Sequence, residues 1–243
     1  MRGMATFEVK LKGRREVAEG TMAFHFEKPS GYAFKAGQFT NMALINPPET
    51  DDEGDDRTFS IASAPGEPDL MFATRMRNTA FKRVLKTLPL GSPVTIGSPA
   101  GRMVLHEDAA RPAVLLAGGI GITPFRSIIV HAAKEHLPHR LLLFYSNRRP
   151  EDAAFLDELK DFERVNRQYK LIGTMTDLDR SHRSWNGETG YIDKAMLGRY
   201  LGDLNGPIYF IVGPPALVDS LRAMLTQAGV AGDAIRIEKF AGY

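Results

Sequence analysis

The stretch Val114–Val130, VLLAGGIGITPFRSIIV, constrains this chain more than any other. Val114–Ala117 is a short apolar run, long enough for a buried strand and too short for a helix. Gly118, Gly119 and Gly121 follow at once. Pro124 then leads into a second apolar run, Phe125, Ile128, Ile129 and Ala132, at helical spacing. Strand, glycine turn and helix make an architecture that holds a phosphate. Glycine lets the backbone approach an anion, and the helix start presents unpaired N–H groups and the positive end of the dipole. Thr123 is expected to cap this helix, with Pro124 at its first position, where a missing N–H is no loss. A tight structural turn would carry the same glycines. The usual dinucleotide fingerprint would need glycine at Pro124, and no Gly-Lys-Ser/Thr follows to make a P-loop.

The two sides of this stretch read differently. Before it, Phe7, Val9 and Leu11 alternate with charged residues, and Met22, Phe24 and Phe26 alternate again. Phe39–Ile45, Asp69–Met76 and Pro93–Ile96 are further strand candidates, separated by turns at Pro29–Gly31, Pro65-Gly66 and Leu90-Gly91. One helix, from Thr79 to about Leu88, interrupts them. Such short strands predict a small antiparallel β-barrel or sandwich. After the glycine stretch, strands (Leu141–Tyr145, Leu171–Met175, Ile208–Val212, Ile235–Phe240) alternate with helices (Ala153–Val165, Asp193–Leu201, Ala216–Ala228). That alternation predicts an α/β doubly wound parallel sheet with helices on both faces. The polar segment Glu107–Pro112 is a reasonable linker, so two domains are expected, 1–107 and 108–243. Ligands on such a parallel sheet bind at the carboxyl ends of its strands.

Composition narrows the function. With 31 basic and 29 acidic residues, the net charge of +2 gives no reason to expect nucleic acid or an anionic membrane as partner. The chain has no cysteine, which excludes thiolate-ligated iron–sulfur clusters, cysteine zinc sites and thiol catalysis within it. The start lacks the apolar core of a signal peptide, and no apolar run reaches membrane-spanning length, so a cytoplasmic protein is expected. His131 and His136 are five residues apart, off the face that helical metal sites use, and no metal is expected.

Two constellations in the first half carry chemistry. Glu49–Asp56 holds six carboxylates in eight residues, at a spacing foreign to calcium loops, and reads as a solvated loop. Directly after it come Arg57, Thr58, Phe59 and Ser60. Arginine can clamp a pyrophosphate bidentately, an aromatic ring can stack on a flavin, and a hydroxyl can hydrogen-bond the reactive flavin nitrogen. An ordinary edge strand would also accommodate these residues.

Taken in order, the motifs RTFS, GGIGITP, VGPP and the C-terminal E-K-F-A-G-Y resemble those of the ferredoxin–NADP reductase family. The resemblance spans nearly the whole chain. It implies a flavin-binding barrel followed by an NAD(P)-binding domain. Arg57, Thr58, Phe59 and Ser60 then match the flavin motif, with Phe59 where tyrosine is common. Arg75, Met76 and Arg77 would run along the flavin, and Thr79 would cap its helix and touch the pyrophosphate. That favours FAD over FMN. Ser98–Gly101 resembles a turn that closes the barrel.

In the second half, the resemblance gives Gly118, Gly119, Gly121, Thr123 and Pro124 to the pyridine nucleotide. Ser146, Asn147, Arg148 and Arg149 end a strand where an NAD site would want a carboxylate for the ribose. Their charge leans toward NADPH, with Arg180 and Arg183 within reach if their loop folds over. Gly213 and Pro214 would form a turn near the nicotinamide, with Val212 where cysteine is frequent. Trp185–Gly190 is expected to serve structure. Ser60, Glu238 and Tyr243 are the expected catalytic residues, Tyr243 as an aromatic cover over the flavin ring that also meets the nucleotide.

The implied activity is that of an FAD-dependent NAD(P)H oxidoreductase. It would take hydride from NAD(P)H onto the flavin and pass electrons to an acceptor such as ferredoxin, flavodoxin or an oxygenase component. A ferric-chelate or free-flavin reductase, an electron-transfer subunit of a larger complex, and a nucleotide-sensing module remain open as alternatives.

Overall fold

The computed structural model describes residues 6–240. Tyr243, expected to cover the flavin, lies outside the described residues. The first half forms β1 (Thr6–Ala18), β2 (Thr21–Glu27), β3 (Phe39–Leu44), β4 (Asp56–Ser60), β5 (Asp69–Arg75) and β6 (Pro93–Gly97), with α1 (Ala80–Thr87) between β5 and β6. The strands make an antiparallel sheet in the order β4-β3-β6-β1-β2-β5. It curls on itself, because the segment after β4 returns to β5: the Ala62 N–H donates to the Met71 carbonyl at 2.8 Å. Alternation explains the packing. Val9, Leu11, Phe24, Phe26, Met42 and Phe72 point inward and are fully buried.

The second half begins with β7 (Ala113–Gly118), a 3₁₀ turn (Gly119–Gly121) and α2 (Ile122–Lys134). It continues with β8 (Leu141–Asn147), α3 (Leu156–Val165), β9 (Tyr169–Met175), the short β10 (Glu188–Thr189), α4 (Lys194–Leu201), β11 (Ile208–Gly213), α5 (Pro215–Gln227) and β12 (Ile235–Lys239). All pairs are parallel, in the order β10-β9-β8-β7-β11-β12. From β7 the chain goes outward one way through β8, β9 and β10, then returns to the other side of β7. The order therefore reverses between β7 and β11, the position where such sheets bind ligands. No helix among the described residues is long and apolar enough to cross a membrane.

Three local readings differ from expectation. Thr123 does not cap α2. The 3₁₀ turn starts the winding earlier, Gly121 takes the cap position, and the Thr123 hydroxyl donates back to the Ile120 carbonyl at 3.0 Å. Pro124 falls in the first turn instead of at its first position, still among residues whose N–H groups need no helical partner. The helix expected from Ala153 starts only at Leu156, because Phe155 is left-handed (φ 61°). Its ring is buried, with Arg15 and Arg126 guanidiniums 5.9 and 5.3 Å from its centre. Here tertiary packing overrides helix propensity. The acidic segment Glu49–Asp56 is tied down on several sides, as described below.

The two sheets are bolted together by polar contacts. Arg126 on α2 is 5% exposed and donates to the Ala62 carbonyl at 2.8 Å and to Glu67 at 2.9 Å. It also pairs with Glu158 on α3. Beside it the Ser127 hydroxyl donates to the Ser63 carbonyl at 2.7 Å.

Candidate functional site

The register of the parallel sheet gathers the expected nucleotide residues along one edge. Gly118 stands opposite Ser146, and Ala117 opposite Val212. Val212 stands opposite Glu238, and Gly213 opposite Lys239. Four loops from distant parts of the chain thus end side by side. Their backbones touch closely: a Cβ on Gly121 would lie 2.4 Å from the Val212 carbonyl oxygen, and one on Gly118 would lie 3.1 Å from the Pro214 ring. Gly119 has φ +54°, a conformation that suits glycine.

Facing this edge is a cleft of about 380 Å³ between the two sheets. From the barrel side, Arg57, Thr58, Phe59 and Ser60 line it, with Arg75, Arg77 and Thr79. From the parallel sheet, Ile120, Thr123 and Glu238 line it. The RTFS strand and the glycine loop therefore wall one space. Met76 does not line it; the side chain packs on the barrel core and the N–H donates to the Gly20 carbonyl at 2.7 Å. Phe59 is both wall and core, with its ring 5.8 Å from Phe81 and 6.2 Å from Phe72. Val212 is wholly buried and does not line the cleft.

Several groups in this cleft await a polar partner. The Ser60 hydroxyl is buried and unpaired among the described residues, a state that is costly unless a ligand supplies the bond. Lys82, one turn beyond Thr79, also lines the cleft. Burial, then the charges of Arg77 and Arg57, push its ammonium down to about 8. A crowd of cations that repel one another fits an anionic ligand. Sequence reading missed Lys82 because it sits on the polar side of α1. Its one signal is the spacing of three from Thr79, whose hydroxyl accepts from the Lys82 N–H at 3.4 Å. Glu53, Thr74, Lys239 and Phe240 also line the cleft and were not expected there. Hydroxyl, aromatic wall and clustered cations suit a flavin carrying phosphates.

Glu238 is half-buried, and burial pushes its carboxyl up to about 7. The sign of its effect on stability follows. The folded protein binds this proton more tightly than the unfolded chain, so stability falls as pH rises from 4.5 to about 7. We expect wild type to lose stability relative to Glu238→Gln across that window, as thermal midpoints at stepped pH would record. Parallel profiles for the two proteins would exclude it.

At the outer end of the edge, Ser146 and Asn147 are buried at the end of β8. Both polar ends of Asn147 are unpaired among the described residues. Arg149 is already engaged, donating to Asp152 at 2.8 Å and to Glu19 at 2.8 Å. Of the two guanidiniums expected at this strand end, that of Arg149 is therefore already paired within the protein. The loop carrying Arg180 and Arg183 is anchored by Glu151, which accepts from the Ser181 hydroxyl at 2.8 Å and from the N–H groups of His182 and Arg183 at 2.9 and 2.8 Å. Among the described residues, the side chains of Arg180 and Arg183 make only long contacts, to Asp177 at 3.7 Å and Asp157 at 3.4 Å. The Trp185 indole donates to the Glu188 carbonyl at 2.8 Å, and its ring fills the space over Gly173 and Gly187.

A curled antiparallel sheet and a parallel one thus share a cleft at the switch point. Residues 115–223 match the family described as the oxidoreductase NAD-binding domain. The chain is 29% identical over 246 residues to ferredoxin–NADP reductase B of Sorangium cellulosum, covering 96% of this chain and 97% of that one. It is 27% identical over 210 residues to reductase component 2 of terephthalate 1,2-dioxygenase from Comamonas sp, covering 86% of this chain. The chain spans 60% of the length of that component. A ferredoxin NADP⁺ reductase from Neisseria gonorrhoeae, solved with FAD and NADP, superposes with a TM-score of 0.80 at 20% identity, covering 96% of this chain and 98% of that one. The Amycolatopsis cytochrome P450 reductase GcoB gives 0.81 at 20% identity, covering 98% and 71%. The chain is similar to ferredoxin–NADP reductase-like FAD/NAD(P)-binding reductases over nearly its whole length, and residues 115–223 match the oxidoreductase NAD-binding domain.

Proposed function

We propose that this protein is an FAD-dependent NAD(P)H oxidoreductase that passes electrons to a separate acceptor. One observation carries the reading: the strand bearing Ser60 and the glycine loop bearing Ile120 and Thr123 wall a single cleft. A bound flavin would supply an acceptor for the electron pair of the reduced nicotinamide and a donor that can release electrons singly. The chain's own task is orientation. Ser60 offers its unpaired hydroxyl to the flavin edge, Arg57 and Lys82 hold the phosphates, and Glu238 holds a proton near neutrality beside the ring. In the second sheet, Gly118, Gly119 and Gly121 let the nucleotide backbone approach, while Gly213 and Pro214 shape the nicotinamide end. Ser146 and Arg148 favour the extra phosphate of NADPH. In this reading residues 1–107 are the flavin domain and 108–243 the nucleotide domain, working in the cytoplasm. The acceptor is a ferredoxin, a flavodoxin or an oxygenase component; the names of several relatives support the first and the last.

An anaerobic titration with NADPH and NADH tests this. The purified protein should be yellow, release FAD on denaturation, and bleach with NADPH at lower concentration than with NADH. A protein that takes up no flavin, or one bleached by neither nucleotide, would overturn the reading. Ser60→Ala should slow flavin reduction by about tenfold to a hundredfold, because a small misplacement of reacting groups has effects of that size. Stopped-flow bleaching at saturating nucleotide measures it, and an unchanged rate would remove Ser60 from the site.

A further inference from the structure

The acidic segment before β4 reaches the same donors that the flavin's phosphates would use. An Asp51 carboxylate oxygen accepts from the Ala80 N–H, at the start of α1, at 2.7 Å. The neighbouring Glu53 carboxylate accepts from the Arg57 guanidinium at 2.9 Å, and Asp51 lies 3.6 Å from it. The other guanidinium nitrogen of Arg57 donates to the carbonyls of Glu53, Gly54 and Asp56 at 2.8, 3.1 and 2.6 Å. Glu49 ties the far end of the segment to Arg83 on α1. Arginine and a helix start are the two groups that proteins use for phosphate, and here both carry carboxylates from one loop.

We propose that Asp51 and Glu53 act as an internal anion, competing with the flavin's phosphates for Arg57 and the α1 N-terminus, and so set how tightly the phosphate end of the flavin is held. The inference rests on the flavin reading above. Two independent features point to a ligand in this cleft. Among the described residues the buried Ser60 hydroxyl is unpaired, and Lys82 makes no ion pair while facing the charges of Arg77 and Arg57. The carboxylates therefore neutralise only part of the cleft's charge. The contacts that hold the loop there are polar and exposed or only partly buried, so water can replace them when the loop leaves. When a site is competent only with the loop released, its apparent affinity falls by the fraction of molecules in that state. Releasing the loop also frees Arg57 for a bidentate contact.

Flavins with different numbers of phosphates separate this from a structural role. The flavin-free protein is titrated with FAD, FMN and riboflavin, following quenching of flavin fluorescence, in wild type and in the double variant Asp51→Asn/Glu53→Gln. The amides keep acceptors of similar shape but lose the charge. FAD should bind about tenfold more tightly in the variant, FMN should gain less, and riboflavin, with no phosphate, should not change. FAD affinity that is unchanged or weaker overturns the proposal, as does an equal gain for riboflavin. If the double variant does not fold, Glu53→Gln alone serves, since Glu53 is 65% exposed; it should tighten FAD about threefold, with the same outcomes decisive. Absence of uptake of any flavin by both proteins overturns the function reading and this one with it. Uptake at equal affinities overturns only the internal anion.

Discussion

Gly121→Ala should all but abolish nucleotide binding and destabilise the protein by about 3 kcal/mol, the upper range for forced overpacking. The reason is what the new methyl would meet. It would lie 2.4 Å from the Val212 carbonyl oxygen, 2.7 Å from its carbon and 2.9 Å from the Gly213 nitrogen. All three are backbone atoms of a strand in the middle of the sheet, and no side-chain rotation relieves them. The glycine loop and the Gly213-Pro214 turn would have to separate, which moves both walls of the nucleotide site. Gly118→Ala is the informative contrast, since its nearest contact at 2.8 Å is the flexible end of Leu217. Urea unfolding and NADP⁺ titration of the flavin-loaded proteins check both. Equal, small effects for the two variants would mean the loops do not depend on this contact.

Arg126→Met should lower stability by about 3 to 5 kcal/mol, the range for removing one partner from a buried charge cluster. The variant removes one donor from Glu67, Glu158 and the Ala62 carbonyl, leaving Glu67 the Ala64 N–H and Glu158 the distant Arg15. Because these groups belong to both sheets, unfolding should also become less cooperative, with the transitions of the two halves drawing apart. Burial pushes the Glu67 carboxyl up, but the hydrogen bonds and charge of Arg126 outweigh it and the net direction is down. The advantage of wild type over the variant is therefore complete above the ordinary carboxylate range and fades as pH falls below 4.5. A loss under about 1 kcal/mol at neutral pH, as for exposed pairs, would show that the cluster is not a clamp.

The fold was legible because both halves keep a clean period. Alternation in Phe7–Leu11 and Met22–Phe26 placed strands, and the apolar run ending in glycines placed β7 and the turn after it. The site was legible where one residue type serves one need, as with Ser60 beside Arg57. What stayed hidden depends on partners far away in sequence. Phe155 is left-handed to meet Arg15 and Arg126, and nothing around position 155 signals that. The acidic segment looked solvated because its partners, Ala80 and Arg83, come some 30 residues later. Lys82 looked like any polar residue of a surface helix until burial and neighbouring charge were known.

The doubly held Arg149 bears on attempts to change nucleotide preference. Its guanidinium joins Asp152, in the 3₁₀ turn after β8, to Glu19 at the tip of the β1–β2 hairpin. A designer who replaced it to favour NADH would be cutting a strut between the halves, and would read a loss of alignment as a change in taste. In the proposed reading, Arg148 is the position at which selectivity can be altered while the frame stays intact.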